Sequence, residues 1–433
     1  MARFGRTAEV ITVTASLLTL AALCALQGCS DATKPAPPQQ AALPPAITYD
    51  TVLASLTAAI GEARRSIDRQ PETALDAVSL YVDRAELTGG YDDYRQAAEL
   101  LDAASERMVG GSHPCIARAR LHFALQRLAA ASDALDDCPG TVARKDIAEL
   151  HADIAFQKGR YRQAELIYRA LVNRHGTSGQ YVRLALLRSR TGAPGEAAAL
   201  METAERRYDG TSATTKAWFK VQRGTLALER GRFDEAVAMY RAASEVLPGW
   251  WLIDDRLAEV KRLSGDSAGA SAIYQKAIDR TGSPELLDAL AQIRISEGRI
   301  DEAAKLGGRA RAAHEARLAQ FPEASTEPAI EHFLHVASDP KRALALAESN
   351  YASRPNGDAA VALAKALLAN AMPKRAIEVL ETQLADGWDT AEIHWVMGEA
   401  LAQLGQRDAA KAAEQAALER NPESAAMYAA LAK

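Results

Sequence analysis

The sequence predicts an all-α chain, a solenoid of about ten stacked helix-turn-helix units, on three observations. First, one alanine recurs at a near-constant interval. It falls at Ala97, Ala131, Ala164, Ala197, Ala236, Ala270, Ala303, Ala343, Ala376 and Ala410, in steps of 34, 33, 33, 39, 34, 33, 40, 33 and 34 residues. Self-similarity at this period marks a repeat architecture, which overrides the two or three compact domains that 433 residues would otherwise suggest. Second, a glycine stands five residues before six of these alanines: Gly159, Gly192, Gly231, Gly265, Gly298 and Gly405. Third, alanine dominates the apolar residues and aromatics are only 6%, a composition that favours helix over strand.

The chain opens with Arg3 and Arg6, followed by an almost wholly apolar, small-residue run from Val10 to Leu26. That is the layout of a secretory signal peptide, too short and weakly bounded for a good spanning helix. Leu26-Gln27-Gly28-Cys29 resembles a bacterial lipobox, although Gln27 departs from its usual small residue. The resemblance implies removal of residues 1–28, a diacylglycerol on the Cys29 thiol and acylation of the freed amine. Several buried acyl chains hold a protein on a membrane where one only hovers. An ordinary cleaved signal with an incidental Cys29, or an uncleaved anchor, are the alternatives. Ser30, standing where an aspartate would resemble an inner-membrane retention signal, leans towards the outer membrane. Residues 29–47 contain TKPAPPQQAALPPA, which cannot build a core and favours extended polyproline conformations. They read as a spacer between membrane and folded body.

The body is expected over 48–433, with Thr51 to Arg69 as a helix covering its first end. Setting aside Cys24 in the signal and Cys29, two cysteines remain, Cys115 and Cys138. An even pair in an oxidising compartment suggests a disulfide. Pro114 opens a helix just before Cys115, and Pro139-Gly140 closes one just after Cys138, so both fall at the ends of one helical hairpin. A bridge is geometrically reasonable there; two small buried thiols are the alternative.

Within each unit, a small residue precedes the glycine by seven positions (Ala152, Ala185, Gly224, Ala258, Ala291, Gly398), and another often follows the anchor alanine by seven (Ala104, Ala204, Ala243, Ala277, Ala310, Ala417). Small side chains at matched heights let two antiparallel helices approach closely, and the glycine releases the chain into a tight turn. Tyr168, Tyr240 and Tyr274 are placed to fill the gap to the neighbouring pair. Pro248, Pro355 and Pro422 end second helices, because proline cannot donate the backbone hydrogen bond.

This pattern resembles the tetratricopeptide repeat. The clearest copy runs from Gly224 through Gly231, Phe233 and Ala236 to Tyr240, Ala243 and Pro248; the last runs from Gly398 through Gly405, Ala410 and Ala417 to Pro422. The resemblance implies a right-handed solenoid with first helices on the concave side and second helices outside. Residues 423–433 would cap it. The 39- and 40-residue steps place candidate breaks near 206–213 and 311–328. Glu331 stands where a small residue belongs, so the first helix of its unit is expected to be shifted or shortened.

In this family the concave surface binds peptides or partner helices. The side chains that would project there include Glu149, Asp153, Phe156, Trp218, Asp255, Glu259, Asp288, His332, His335 and Trp395. Their carboxylates favour a basic or mixed partner, a merely solvated acidic face being the alternative. The lysine–asparagine clamp with which many relatives hold acidic chaperone peptides is absent from these helices. A net charge of −5 gives no footprint for nucleic acid.

Nothing in the chain calls for a cofactor or for catalysis. Gly265-Asp266-Ser267-Ala268-Gly269 spells a nucleophile-elbow motif but lies in a repeat turn, without the strand that chemistry needs. His332 and His335 share a helix face but have no third metal ligand nearby in sequence, so they read as surface histidines facing the groove. Trp250-Trp251 reads as packing at a repeat boundary or as an exposed aromatic anchor. The expected function is a lipid-anchored periplasmic scaffold that binds a protein or peptide of a cell-envelope assembly or export system. The alternative is a glycan or small-ligand binder of an exopolysaccharide export system, stacking on Trp218, Trp250, Trp251 and Trp395.

Overall fold

The computed structural model describes residues 47–108, 113–425 and 427. The signal sequence, Cys29, the spacer up to residue 46 and most of 423–433 lie outside them. The described residues form 21 α-helices and one isolated bridge, Thr191 with Asp389. Helix α1 (Tyr49–Ser66) is capped by Thr48 and precedes ten pairs. These are α2/α3 (Thr73–Thr88, Asp92–Ser105), α4/α5 (Cys115–Ala124, Leu128–Asp136), α6/α7 (Arg144–Gln157, Tyr161–Arg174), α8/α9 (Ser178–Arg190, Pro194–Arg206) and α10/α11 (Ala213–Leu228, Phe233–Val246). The series continues with α12/α13 (Trp251–Leu263, Ser267–Thr281), α14/α15 (Pro284–Ser296, Ile300–Gln320), α16/α17 (Pro322–His335, Pro340–Ser353), α18/α19 (Gly357–Ala369, Pro373–Asp386) and α20/α21 (Ala391–Gln403, Arg407–Arg420). None of the described helices is long and apolar enough to cross a membrane.

Every anchor alanine sits on the second helix of its pair and is buried, from Ala97 to Ala410. The small-residue rule has a direct steric origin: a Cβ on Gly224 would stand 2.4 Å from the Tyr240 ring across the hairpin. Six units turn on a left-handed glycine, as expected. Three others place Gln126, Ser338 and Ala371 in the same left-handed conformation, each five residues before its anchor. The turn geometry is therefore held by helix packing even where no glycine relieves it. Cys115 and Cys138 are joined by a disulfide with Cα atoms 5.4 Å apart.

The long steps resolve into different devices. Six residues, 207–212, link α9 to a 16-residue α10. Helix α15 runs for 21 residues, and its buried stripe continues past Ala310 to His314 and Leu318. The unit carrying Glu331 keeps a first helix of 14 residues, so α16 is not shortened. The larger glutamate lies 3.2 Å from His335 and is ion-paired to Lys365 at 3.8 Å.

The superhelix is wound tightly enough for successive coils to touch. Turns inside the early units meet loops between the late ones. The Trp250 and Trp251 indoles both donate to the Leu87 carbonyl, at 3.0 and 2.9 Å. Asn356 donates to the Gln157 side chain at 2.8 Å, 199 residues away in sequence. The Asp389 amide donates to the Arg190 carbonyl at 2.8 Å. Trp388 is 1% exposed and packs on Phe156 and Tyr161 with ring centroids 6.1 and 5.4 Å away. Close approach selects the residues: a Cβ on Gly159 would lie 2.4 Å from the Pro355 carbonyl oxygen.

Candidate functional site

The first helices from α6 to α18, α12 apart, bury more than half of their residues, because they face both their own hairpin and the core of a closed coil. In α18 every residue from Ala359 to Leu368 is buried, whereas α11 buries only the stripe Ala236, Tyr240 and Ala243. Polar side chains on first helices must therefore find partners among themselves, since a buried charge is stable only when paired. They form a ladder from unit to unit. Arg183 on α8 bonds Asp153 on α6 at 3.0 Å, and Tyr168 donates to the same carboxylate at 2.7 Å. Burial raises the Asp153 pKa, while Arg183 and the Tyr168 hydroxyl oppose that rise. Farther along, Lys365 on α18 reaches Glu392 at 2.9 Å. Burial would raise Glu331, but the Lys365 ammonium and His335 overcome it and hold the carboxyl at about 2.

Between these layers lies a cavity of about 530 Å³, bounded by the α2–α3 turn, α10, α12, α14 and α16. Seven carboxylates line it (Glu86, Asp255, Glu259, Glu285, Asp288, Glu327 and Glu331) against three guanidiniums (Arg256, Arg262 and Arg317). Trp218, Trp251, Tyr94 and Tyr274 give it aromatic walls. Neither Glu86 oxygen has a hydrogen-bond partner among the described residues. Burial, with Asp83 beside it, pushes that carboxyl well above its usual range. Burial likewise lifts Glu259 to about 7 against the pull of Arg256, and raises Asp255.

Of the ten groove residues read from the sequence, Trp218, Asp255, Glu259 and Asp288 line this cavity. The others do not, and an open groove is not what they form. Glu149 and Asp153 are sealed in the ladder at 4% and 1% exposure. Phe156 is buried where two coils meet. His335 lies against Glu331, and the half-buried Trp395 donates to Glu399 at 3.2 Å. His332 is corrected most sharply. It is 1% exposed rather than a surface histidine, and its Nδ1 lies 2.7 Å from Asp288 Oδ1. The other Asp288 oxygen lies 2.8 Å from His314 Nε2 on α15. Sequence reasoning missed His314, although its place four residues beyond Ala310 continues that helix's inward stripe.

Two further sequence features are settled by position. Trp250 is fully buried and Trp251 half-buried, both on the Leu87 carbonyl, so neither is an exposed anchor. In the elbow-like motif, Asp266 caps α13 by accepting from the Gly269 amide at 2.8 Å.

Residues 391–424 match the tetratricopeptide repeat family, a span that covers α20, their turn and α21. No curated protein sequence matches the chain. Among solved structures, the chain is similar to MamA, at 18% identity over 38% of this chain and 95% of that one, with a TM-score of 0.31. It is also similar to the APC/C hetero-tetramer Cut9-Hcn1, at 14% identity over 88% and 94%, TM-score 0.37. A third is the human IFIT1 dimer with PPP-AAAA, at 13% identity over 82% and 94%, TM-score 0.38. Likenesses this distant carry no functional weight. The repeat match, with the stack of helical hairpins on which it falls, supports a tetratricopeptide-repeat protein and, at that level, a protein-interaction scaffold. Such repeat proteins are generally non-catalytic.

Proposed function

We propose that the chain is a lipid-anchored scaffold of the bacterial cell envelope, held through Cys29 at the periplasmic face of a membrane, the outer membrane before the inner. Its superhelix receives a basic segment of an envelope protein belonging to an assembly or export system. The observation that carries the partner's chemistry is the cavity, where seven carboxylates stand between aromatic walls; its three arginines, with Arg354 on Glu327 and Lys365 on Glu331 from outside the lining, leave Glu86 with no hydrogen-bond partner among the described residues. A lysine or arginine side chain entering it meets acceptors already desolvated, and aromatic faces that favour cations. The support for the anchor is the lipobox-like Leu26-Gln27-Gly28-Cys29 and the proline-rich spacer after it.

The glycan alternative loses one of its four tryptophans: Trp250 is 0% exposed and its indole is spent on the Leu87 carbonyl. The test is affinity capture from detergent-solubilised envelopes with wild type, Cys29→Ser and the double variant Asp255→Asn/Glu259→Gln. The reading expects a reproducible envelope partner with wild type, its loss with the cavity variant, and a soluble rather than membrane-bound Cys29→Ser protein. A partner retained in full by the cavity variant would refute the basic-segment reading. Membrane retention of Cys29→Ser would refute the anchor.

A further inference from the structure

We propose that Asp288, His314 and His332 form a binding site for a divalent transition-metal ion of the zinc type. They come from three consecutive helices, α14, α15 and α16, and are 7%, 1% and 1% exposed. Each offers one ligand atom, and these atoms all lie within 4.8 Å of one another. The Asp288 carboxylate is flanked by His314 Nε2 at 2.8 Å and His332 Nδ1 at 2.7 Å, with the two ring centroids 5.0 Å apart.

Two features separate this cluster from the rest of the buried ladder. In the ladder Asp153 is answered by the permanent cation Arg183, and Glu392 by Lys365. Here one carboxylate is shared by two imidazoles, the commonest metal ligands. Moreover, His314 Nδ1 and His332 Nε2 are buried without a hydrogen-bond partner among the described residues. The two rings are thus brought together without a hydrogen-bond network that uses both nitrogens of each.

Two imidazole nitrogens and one carboxylate oxygen form a borderline donor set. It suits zinc and its neighbours rather than calcium or magnesium, which take oxygen ligands. Bonds of about 2.0–2.2 Å in a tetrahedral site place ligand atoms about 3.3 Å apart. The two contacts to Asp288, now 2.7 and 2.8 Å, would open by about half an ångström, and ligand atoms that all lie within 4.8 Å of one another would settle to the same spacing. Coordination through the two ring nitrogens that now face Asp288 leaves each imidazole proton on its other nitrogen. Asp288 also lines the carboxylate-rich cavity, so the site borders that space. Three protein ligands leave a fourth position for water.

The test is calorimetric titration of the full chain with Zn²⁺ alone, purified without a histidine tag, paired with elemental analysis after gel filtration. Co²⁺ serves as a visible-absorption probe of coordination. One Zn²⁺ per chain is expected, with a rise in the melting temperature. His314→Ala and Asp288→Asn should weaken binding by about a hundredfold or more, since losing even an outer-shell partner costs about 10–100-fold. His335→Ala, one helical turn from His332, should bind as wild type. The proposal is overturned if wild type takes up no Zn²⁺, if the folded ligand variants bind as wild type does, or if His335→Ala abolishes binding. Should His314→Ala not fold by circular dichroism, the wild-type titration and Asp288→Asn still decide it.

Discussion

Trp388 offers the sharpest test of the closed coil. It lies in the loop between α19 and α20, outside the repeat pattern, and is 1% exposed because an earlier part of the chain covers it. Phe156 and Tyr161 pack on its ring, the Arg190 guanidinium lies 5.9 Å from its centroid, and a Cβ on Gly357 would come within 2.0 Å of it. An indole buries about 150–250 Å², worth about 4–6 kcal/mol at roughly 25 cal/mol per Å². Truncation of such a side chain to alanine costs about 3–5 kcal/mol. In an open solenoid the same loop would leave much of that ring to solvent, where substitutions stay within about 0.5 kcal/mol. Trp388→Ala should therefore lower stability by about 3–5 kcal/mol in urea unfolding. It should also speed amide exchange in the α6–α7 turn, because the lost contact spans the two coils and not one repeat interface. A stability loss below about 1 kcal/mol, or unchanged exchange at residues 157–161, would refute the coil-to-coil reading.

Other expectations follow from single contacts. Gly159→Ala and Gly298→Ala both force alanine into a left-handed turn, at about 1–2 kcal/mol, but Gly159 faces a backbone oxygen at 2.4 Å and Gly298 faces open space. Thermal melts should show Gly159→Ala to be clearly the worse; equal losses would contradict the packing. Cys115→Ser should destabilise by roughly 3 kcal/mol, the chain-entropy value for a loop of this length, with reducing agent doing the same to wild type and nothing more to the variant. For pH, burial raises Asp83, Glu259 and Glu399 to about 7. A raised carboxyl holds its proton longer in the folded than in the unfolded chain, so its stabilising contribution is full below about pH 4 and is lost as pH rises through 7. Lowering pH from 8.5 to 6.5 should then raise the melting temperature, by roughly 1 kcal/mol of stability per group. His122, whose pKa burial lowers, opposes the trend only below about 6.5. A melting temperature that falls over this interval would contradict these assignments.

What was legible in the sequence was what repeats. Ala97 through Ala410 mark ten hairpins because each hairpin needs a small residue at the same height, and the disulfide pair could be read from prolines bounding one such hairpin. The left-handed Gln126, Ser338 and Ala371 were hidden because packing imposes a conformation that their side chains do not advertise. The groove was misjudged for a different reason. Whether a concave face is open depends on a small rotation per unit summed over a whole coil, and no local pattern encodes that sum.

The residues that record the coil's closure are those that break the repeat. Trp250, Asn356 and Trp388 sit in loops between units, where the pattern asks for nothing large or amide-bearing, yet all three are buried. Each meets a turn within an early unit: Trp250 at Leu87, Asn356 at Gln157 and Trp388 at Tyr161. The same winding explains why the polar first-helix residues are paired and why the space left among them is a bounded cavity. A narrow coil that seals its inner helices must neutralise their charges internally, and the space left among those pairs is lined by carboxyl groups. That chamber, with Asp288 at its wall and two histidines behind, is where both the partner and the metal readings are joined.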